Sequence, residues 1–251
     1  MTEATAPLDR LAVKRHFSGA AFTFDSAALL HQRVAAELVD RLQFVRLSPA
    51  TVLDLGCATG FCTALLAERY PQARLAGLDL CCAMLAQHPE RDPGTFRVTG
   101  DAEALPLVDG SFDLVASNLL LPWCEPLDFL SEVRRVLQPG GVFAFSSFGP
   151  DTLKELRGAW STVDDMPHVH FFLDMHNLGD MLLRAGFAEP VMDVETLTMT
   201  YDSLGGLCSD LRATGGSNAL VTRRRTLTGK HRAEGLKAAY ETFRGADGRL
   251  P

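Results

Sequence analysis

Residues 54–60 read "DLGCATG", from Asp54 to Gly60, and join a short apolar run to a helical pattern. Glycines between a strand and a helix let the backbone come close to a ligand. Asp79, nineteen residues after Gly60, closes the next apolar run within "GLDL" (77–80). A carboxylate at that strand end is placed to accept both hydroxyls of a ribose. The spacing is not the dinucleotide pattern G-x-G-x-x-G, because positions 58 and 61 are Ala58 and Phe61.

Strands and helices alternate outward from this loop. "TVLDLG" (51–56), "ARLAGLDL" (73–80), "TFRVTGDA" (95–102), "FDLVASNLLL" (112–121) and "GVFAFSSF" (141–148) read as strands. "CTALLAERY" (62–70), "AMLAQH" (83–88) and "DFLSEVRRVLQPGG" (128–141) read as the helices between them, the last with a Pro-Gly-Gly stop. Such alternation predicts parallel β-α-β units in a doubly wound α/β sheet. Before it, residues 8–18 and 26–43 are helical, Leu30, Val34, Leu38 and Leu42 recurring every four residues. After it, 150–160, 177–187, 203–216 and 235–245 are helical patches, and "PVMDVETLTMTY" (190–201) alternates like a strand. There is no internal repeat and no low-complexity linker. One domain over 1–251 is expected, with N-terminal helices at 8–45, a core at 50–150 and covering elements at 151–251.

The chain has 251 residues, 47% hydrophobic and 22% charged, and a net charge of −7. That balance suits a globular protein and argues against general nucleic-acid binding. No apolar run approaches the roughly 18 residues needed to span a bilayer. The start, "MTEATAPLDRLAVKRHF", has no apolar signal core, so a cytoplasmic location is expected. The six cysteines include no C-x-x-C pair and read as reduced thiols rather than a zinc site.

Four consecutive strand ends carry residues suited to a cofactor. Asp54, Gly56, Cys57 and Gly60 lie at the first, and Asp79 and Leu80 at the second. Gly100, Asp101 and Ala102 lie at the third, where a carboxylate can take the amino group of an adenine. Ser117 and Asn118 end the fourth. Glycines and aspartates taken singly are more often turns and helix caps. In register across four strand ends, they define a binding site. Its acidity disfavours a pyrophosphate and favours S-adenosylmethionine, which carries a sulfonium, an ammonium and a ribose.

The motifs "VLDLGCATG", "GLDL", "GDAEALP", "FDLVASN" and "RVLQPGG" resemble the class I S-adenosylmethionine-dependent methyltransferases, although Ala58 stands where glycine is more usual. The flanks narrow this resemblance. "HFSGAAFTFDSAALLHQRVAAEL" (16–38), "SNLLLPWC" (117–124), "SSFGPDTLKELRGAW" (146–160), "PHVHFFLDMHNLGDMLLRAGF" (167–187) and "SDLRATGGSNALVTRR" (209–224) resemble the malonyl-[acyl-carrier protein] O-methyltransferases of biotin synthesis. The resemblance implies methyl transfer to the free carboxylate of a malonyl thioester, carried by acyl carrier protein or coenzyme A. Such a carboxylate has a pKa near about 4 by analogy with Asp and Glu, so no catalytic base is nominated. What it needs is in-line placement and exclusion of water.

Within this frame Trp123, Arg157, His168, His170, Asn218 and Arg225 are candidates for substrate contact, each with a surface or packing role as the alternative. His168, His170 and His176 lack the nearby carboxylate pattern of a zinc site, and no metal is expected. The basic run "TRRRTLTGKHR" (222–232) suits docking of an acidic carrier protein. Membrane and nucleic-acid partners are not expected, and the chain is expected to be a monomer. Three features depart from the family. Phe24 replaces the tyrosine of an "A-x-x-Y-D" pattern, and Phe171 stands where arginine is common. After 235–245 only "ADGRLP" remains, leaving the strand at 190–201 without its usual antiparallel partner and the fold with lowered stability. A related arginine hydroxylase that assembles complex I, with an "FGGDTLYELR"-like stretch, is one alternative. A cofactor-binding protein with degraded catalysis is the other.

Overall fold

The structure is a computed structural model that describes residues 7–88 and 95–251, so residues 1–6 of the expected leaderless start lie outside it. Five strands form one sheet: β1 (Thr51–Leu55), β2 (Arg74–Asp79), β3 (Thr95–Thr99), β4 (Phe112–Asn118) and β5 (Leu137–Ser146). Their order is β3-β2-β1-β4-β5, and every pairing is parallel. This is the doubly wound α/β sheet that the alternation predicts.

Side chains along each strand divide between two layers, as the two-residue period requires. Val52, Leu114 and Ala116 pack with α3 (Leu29–Arg41) and α4 (Phe61–Arg69). Leu53, Leu55 and Val115 pack on the other face with α6 (Pro126–Val136) and α8 (Met175–Arg184). In α6, Phe129, Leu130, Val133 and Val136 are wholly buried at helical spacing. Burying each of these side chains contributes roughly 1.5–3 kcal/mol. α5 (Cys82–Leu85) connects β2 toward β3.

Two N-terminal helices precede α3, namely α1 (Arg10–Ala20) and α2 (Phe24–Ala27). Asp9 caps α1, accepting the amide of Ala12 and the guanidinium of Arg223 at 2.8 Å. Those two donors hold the Asp9 carboxyl below its ordinary pKa. The same corner is closed by Asp9 N–H to the Ala219 carbonyl and by Val221 N–H to that of Pro7. Further along, α7 (Lys154–Ser161), α9 (Leu204–Ala213) and α10 (Lys230–Glu241) build a separate cluster around Leu156, Leu207, Leu236 and Tyr240. Among the described residues no helix is long and apolar enough to cross a membrane.

Two expectations are corrected. The helix expected at 128–141 stops at Val136, and Leu137 already opens β5. Pro139 lacks an amide donor and disfavours helical backbone before it, which moves the boundary upstream. The alternating stretch 190–201 forms no ladder. No described strand flanks the outer edge of β5, and Val191 and Val194 are exposed. Instead Asp193 and Glu195 pair with Arg41 and Arg33 on α3. The tail "ADGRLP" forms no strand, as expected, and makes one antiparallel bridge between Tyr201 and Leu250.

That bridge inserts Leu250 among Leu156, Leu207, Leu236 and Tyr240, at 1% exposure. Leu250→Ala is expected to cost about 2–5 kcal/mol in urea unfolding, the range for emptying a buried leucine site. A loss below about 1 kcal/mol would show that the tail does not belong to the core.

Candidate active site

The loop from β1 to α4 is shaped by close contacts. Gly56 (φ +77°) runs beneath Leu120, whose side chain would lie 2.8 Å from any added Cβ. Gly60 (φ +94°) faces His88, which would lie 2.5 Å away. Both glycines also occupy left-handed backbone that other residues adopt at a cost. Ala58 sits in that region too, at φ +47°, at roughly 1–2 kcal/mol. This accounts for the more usual glycine at its position. The loop is pinned to β2: Gly56 and Cys57 donate to the Leu78 carbonyl, and Ala58 donates to Asp79 at 3.0 Å.

Above this loop a cleft with about 990 Å³ of empty space, partly open to solvent, crosses the carboxyl ends of the strands. Gly56, Cys57, Asp79, Leu80, Asp101, Ala102 and Asn118 all line it. Asp79 accepts amides from Ala58 and Cys81, one on each oxygen, and keeps lone pairs for a further donor. Burial raises its pKa. Asp101 is ion-paired with Arg10, which also holds Glu103. Asn118 donates to the His31 carbonyl at 3.0 Å and accepts from Ser146 at 2.8 Å.

Two members of the expected cofactor set do not line the cleft. Gly60 serves as the start of α4. Asp54 lies beneath the loop at 1% exposure, accepting the Thr63 hydroxyl at 2.6 Å. Its other oxygen is buried without a partner, and burial pushes its pKa up to about 7.

The cleft is roofed by residues the sequence did not single out. Arg10, Phe17, Asp25, His31 and Gln32 come from the N-terminal helices and line it beside Phe24. Asp25 accepts the Thr59 hydroxyl and so fastens the roof to the loop. Asp25 closes the "A-x-x-Y-D" pattern, but the partners of Arg10, Asp25 and Phe17 are remote along the chain.

A second cavity, with about 870 Å³ of empty space, adjoins the cleft and shares Arg10 and Cys124 with it. Leu8, Leu121, Phe148, Phe171, Phe172 and Leu220 give it an apolar wall. Trp123 stands between the two spaces, edge-on to Phe17 at 5.0 Å and to His170 at 4.8 Å. His170 lines the second cavity and accepts the Ala219 amide on Nε2, while burial lowers its pKa to about 4.

The remaining candidates for substrate contact line neither space. Arg157 spends its guanidinium on the carbonyls of Pro150, Thr152 and His170. His168 stacks on Trp160 and bonds Asp164 at 2.7 Å. Asn218 bridges the Pro167 carbonyl and the Leu220 amide. Arg225 is 67% exposed, 3.7 Å from Asp9. Each has found local partners that a sequence does not display. Among the described residues no cluster of three His, Cys, Asp or Glu side chains is arranged to hold a metal ion.

Comparison with known proteins agrees with this fold. A family model described as a methyltransferase domain matches residues 53–145. A malonyl-[acyl-carrier protein] O-methyltransferase of Methylovorus sp. (strain MP688) is 43% identical, over 100% of this chain and 88% of its own length. One from Halorhodospira halophila is 45% identical over 97% of this chain and 84% of its own. The fold is shared with a SAM-dependent methyltransferase of Thermotoga maritima at a TM-score of 0.55, 21% identity, covering 70% of this chain and 82% of that one. Of the resemblances drawn from the flanks, the one to carboxyl methyltransferases is the one these relatives carry. With its cleft at the strand ends and near full-length similarity, the chain belongs to the malonyl-[acyl-carrier protein] O-methyltransferase family of S-adenosylmethionine-dependent methyltransferases.

Proposed function

We propose that this protein transfers the methyl group of S-adenosylmethionine to the free carboxylate of a malonyl thioester on acyl carrier protein, a step of biotin synthesis. The observation that carries this reading is the cleft with Asp25, Asp79 and Asp101 on its lining, adjoined by a second cavity whose His170 touches Trp123 of the first. The named activity of the relatives supports the choice of acceptor.

The cleft suits the cofactor chemically. Asp79 has lone pairs for ribose hydroxyls, and Asp101 offers an acceptor for the adenine amine, beside Arg10. Gly56 allows close backbone approach, and Leu80 and Ala102 offer apolar surface. The carboxylates of Asp25, Asp79 and Asp101 favour a cationic ligand. When bound, the cofactor supplies an electrophilic methyl group. Cys57, Cys62 and Cys124 line the same cleft, and burial raises the pKa of each, that of Cys124 to about 12. They therefore remain thiols, poor competitors for a methyl donor.

On the acceptor side, the apolar wall and Trp123 exclude water and orient the thioester arm. Coenzyme A presents the same arm, so the carrier must be distinguished by its surface. The exposed stretch around Arg224 and Lys230 faces outward and suits an acidic carrier. Arg223 does not take part, because it is turned inward onto Asp9. A cytoplasmic setting agrees with six free cysteines.

With labelled S-adenosylmethionine and malonyl-carrier protein, base-labile methyl ester should accumulate. Asp79→Asn should weaken S-adenosylhomocysteine binding by about 10- to 100-fold, matching the roughly 1.5–3 kcal/mol of a hydrogen bond to a charged group. Cofactor binding without ester formation would leave the cleft assignment standing and remove the acceptor. Asp54 gives a test by pH. Its pKa is about 7 in the folded chain and lies near 3.9 when unfolded, so its contribution to stability is full below about pH 4 and lost as pH rises toward 7. Asp54→Asn lacks that loss. Without cofactor, its stability relative to the parent should climb between about pH 4 and 7 and level off above, by a few kcal/mol at most, whereas a constant difference would contradict a buried titrating carboxyl. Finally, Arg224→Glu with Lys230→Glu should raise KM for the carrier-bound substrate several-fold at low salt and leave the coenzyme A thioester unaffected. Equal effects on both substrates would remove this face as the docking surface.

A further inference from the structure

A backbone amide decides which nitrogen of His170 carries the proton. Ala219 is wholly buried, and its N–H donates to His170 Nε2 at 3.0 Å. An amide nitrogen can only donate, so Nε2 must present its lone pair. Burial lowers the pKa of His170 to about 4, which leaves the ring neutral at pH 7 with a single proton. That proton therefore sits on Nδ1. The ring is held edge-on to Trp123 at 4.8 Å, and the His170 carbonyl accepts from Arg157. Backbone and ring are both set by the protein itself.

No described group accepts from Nδ1. The described side-chain atoms that are sealed off without a partner belong to His16, His31, Asp54, Ser117, Asp164 and Arg232. His170 Nδ1 is not one of them, so it keeps accessible surface although the whole residue is 6% exposed. The space this residue lines is the second cavity. Two carboxylates also line that cavity, and neither takes the proton. Glu103 accepts from Arg10 and from the Glu125 amide, and the Glu125 side chain is exposed. Phe148, Phe171 and Phe172 give the same wall its apolar surface. A single donor set in such a wall fixes the orientation of a ligand that brings an oxygen.

A malonyl thioester offers oxygens on either side of one methylene, those of the carboxylate and that of the thioester carbonyl. The carboxylate has to meet the cofactor, in the cleft that Trp123 lines. His170 touches Trp123 from the second cavity, one side chain back along that path. The oxygen one step behind the carboxylate is the thioester carbonyl. We infer that His170 is a substrate-holding residue, donating from Nδ1 to the thioester carbonyl while the carboxylate enters the cofactor cleft. This rests on the reading that the acceptor is a malonyl thioester. The bond fixes the direction in which the carboxylate leaves the arm, and so favours in-line placement.

Substitution separates the two nitrogens. Asparagine carries its amide at the position of Nδ1 and loses the acceptor for Ala219, whereas glutamine reaches the position of Nε2 and loses the donor. Methyl transfer is followed on malonyl-coenzyme A and on S-(2-carboxyethyl)-coenzyme A, a thioether with a methylene in place of the carbonyl. His170→Gln should raise KM for malonyl-coenzyme A about 3- to 10-fold, the range for one neutral hydrogen bond. It should leave KM for the thioether, and S-adenosylhomocysteine binding by calorimetry, within about twofold of the parent. The parent should itself show a similar rise in KM on passing from thioester to thioether. His170→Asn should recover most of the loss seen with Gln, at a Tm lower by about 2–8 °C, because the Ala219 amide is left unpaired. A purely structural role predicts the opposite order, with Asn the worse variant on both substrates, and that result would overturn the inference. Equal losses on both substrates would put the bond on the carboxylate and overturn it as well, as would a Gln variant that matches the parent. Parent protein that binds S-adenosylhomocysteine but methylates neither substrate would count against the malonyl reading itself, and the inference would fall with it.

Discussion

Everything at the candidate site follows from one topological constraint, the reversal of strand order between β1 and β4. From β1 the chain leaves to α4 on one face of the sheet, and from β4 it leaves toward α6 on the other. Two adjacent loops therefore diverge, and no backbone fills the space between them. The gap would close if either loop sagged. Asp79 prevents this on one side by taking the Ala58 and Cys81 amides at once, tying the β1 loop to the end of β2. On the other side Asn118 is fixed between Ser146 and the His31 carbonyl. The residues placed to meet a cofactor are thus also the ones that keep its cleft open.

The roof is attached differently from the floor. Floor residues belong to strands locked into an apolar core, with Val52, Leu53, Leu55, Leu114 and Val115 wholly buried. Roof residues are fastened by apolar packing, with Ala20, Ala21, Phe24 and Ala28 buried against Cys81 and Met84, and Ala35 and Val39 of α3 in the sheet core. Polar links hold them besides: Arg10 to Asp101 and Glu103, Asp25 to Thr59, and the His31 carbonyl to Asn118. Polar links of this kind contribute about 1 kcal/mol each, and the Arg10 pair is partly exposed, so solvent screens it further.

Much of the floor was legible in the sequence because its determinants are local. An apolar run and the polar or glycine residues at its end lie within a few residues of one another, and helices between such runs indicate a parallel sheet. The roof was not legible, since the partners of Arg10 and Asp25 are set by tertiary packing. Arg157 and Asn218 misled for the same reason. Both look like ligand-binding side chains, and both are consumed by backbone carbonyls that no pattern announces. The stretch 190–201 has the right period for a strand but pairs only through Tyr201, and periodicity alone does not make a ladder. Ala58 was read as a small departure. Its left-handed backbone shows that the departure is conformational rather than steric.

Phe24 and Phe171, the two other departures, act on different parts of the site. Phe24 is buried in the roof, packed on the His31 ring, so replacing a hydroxyl there changes what orients the imidazole. Phe171 is 46% exposed on the wall of the second cavity, where it adds apolar surface in place of a cation. Phe24 thus bears on the first cleft and Phe171 on the second cavity. A carboxylate acceptor that is already ionised needs no base, but it must be held against a cationic donor in a space free of water.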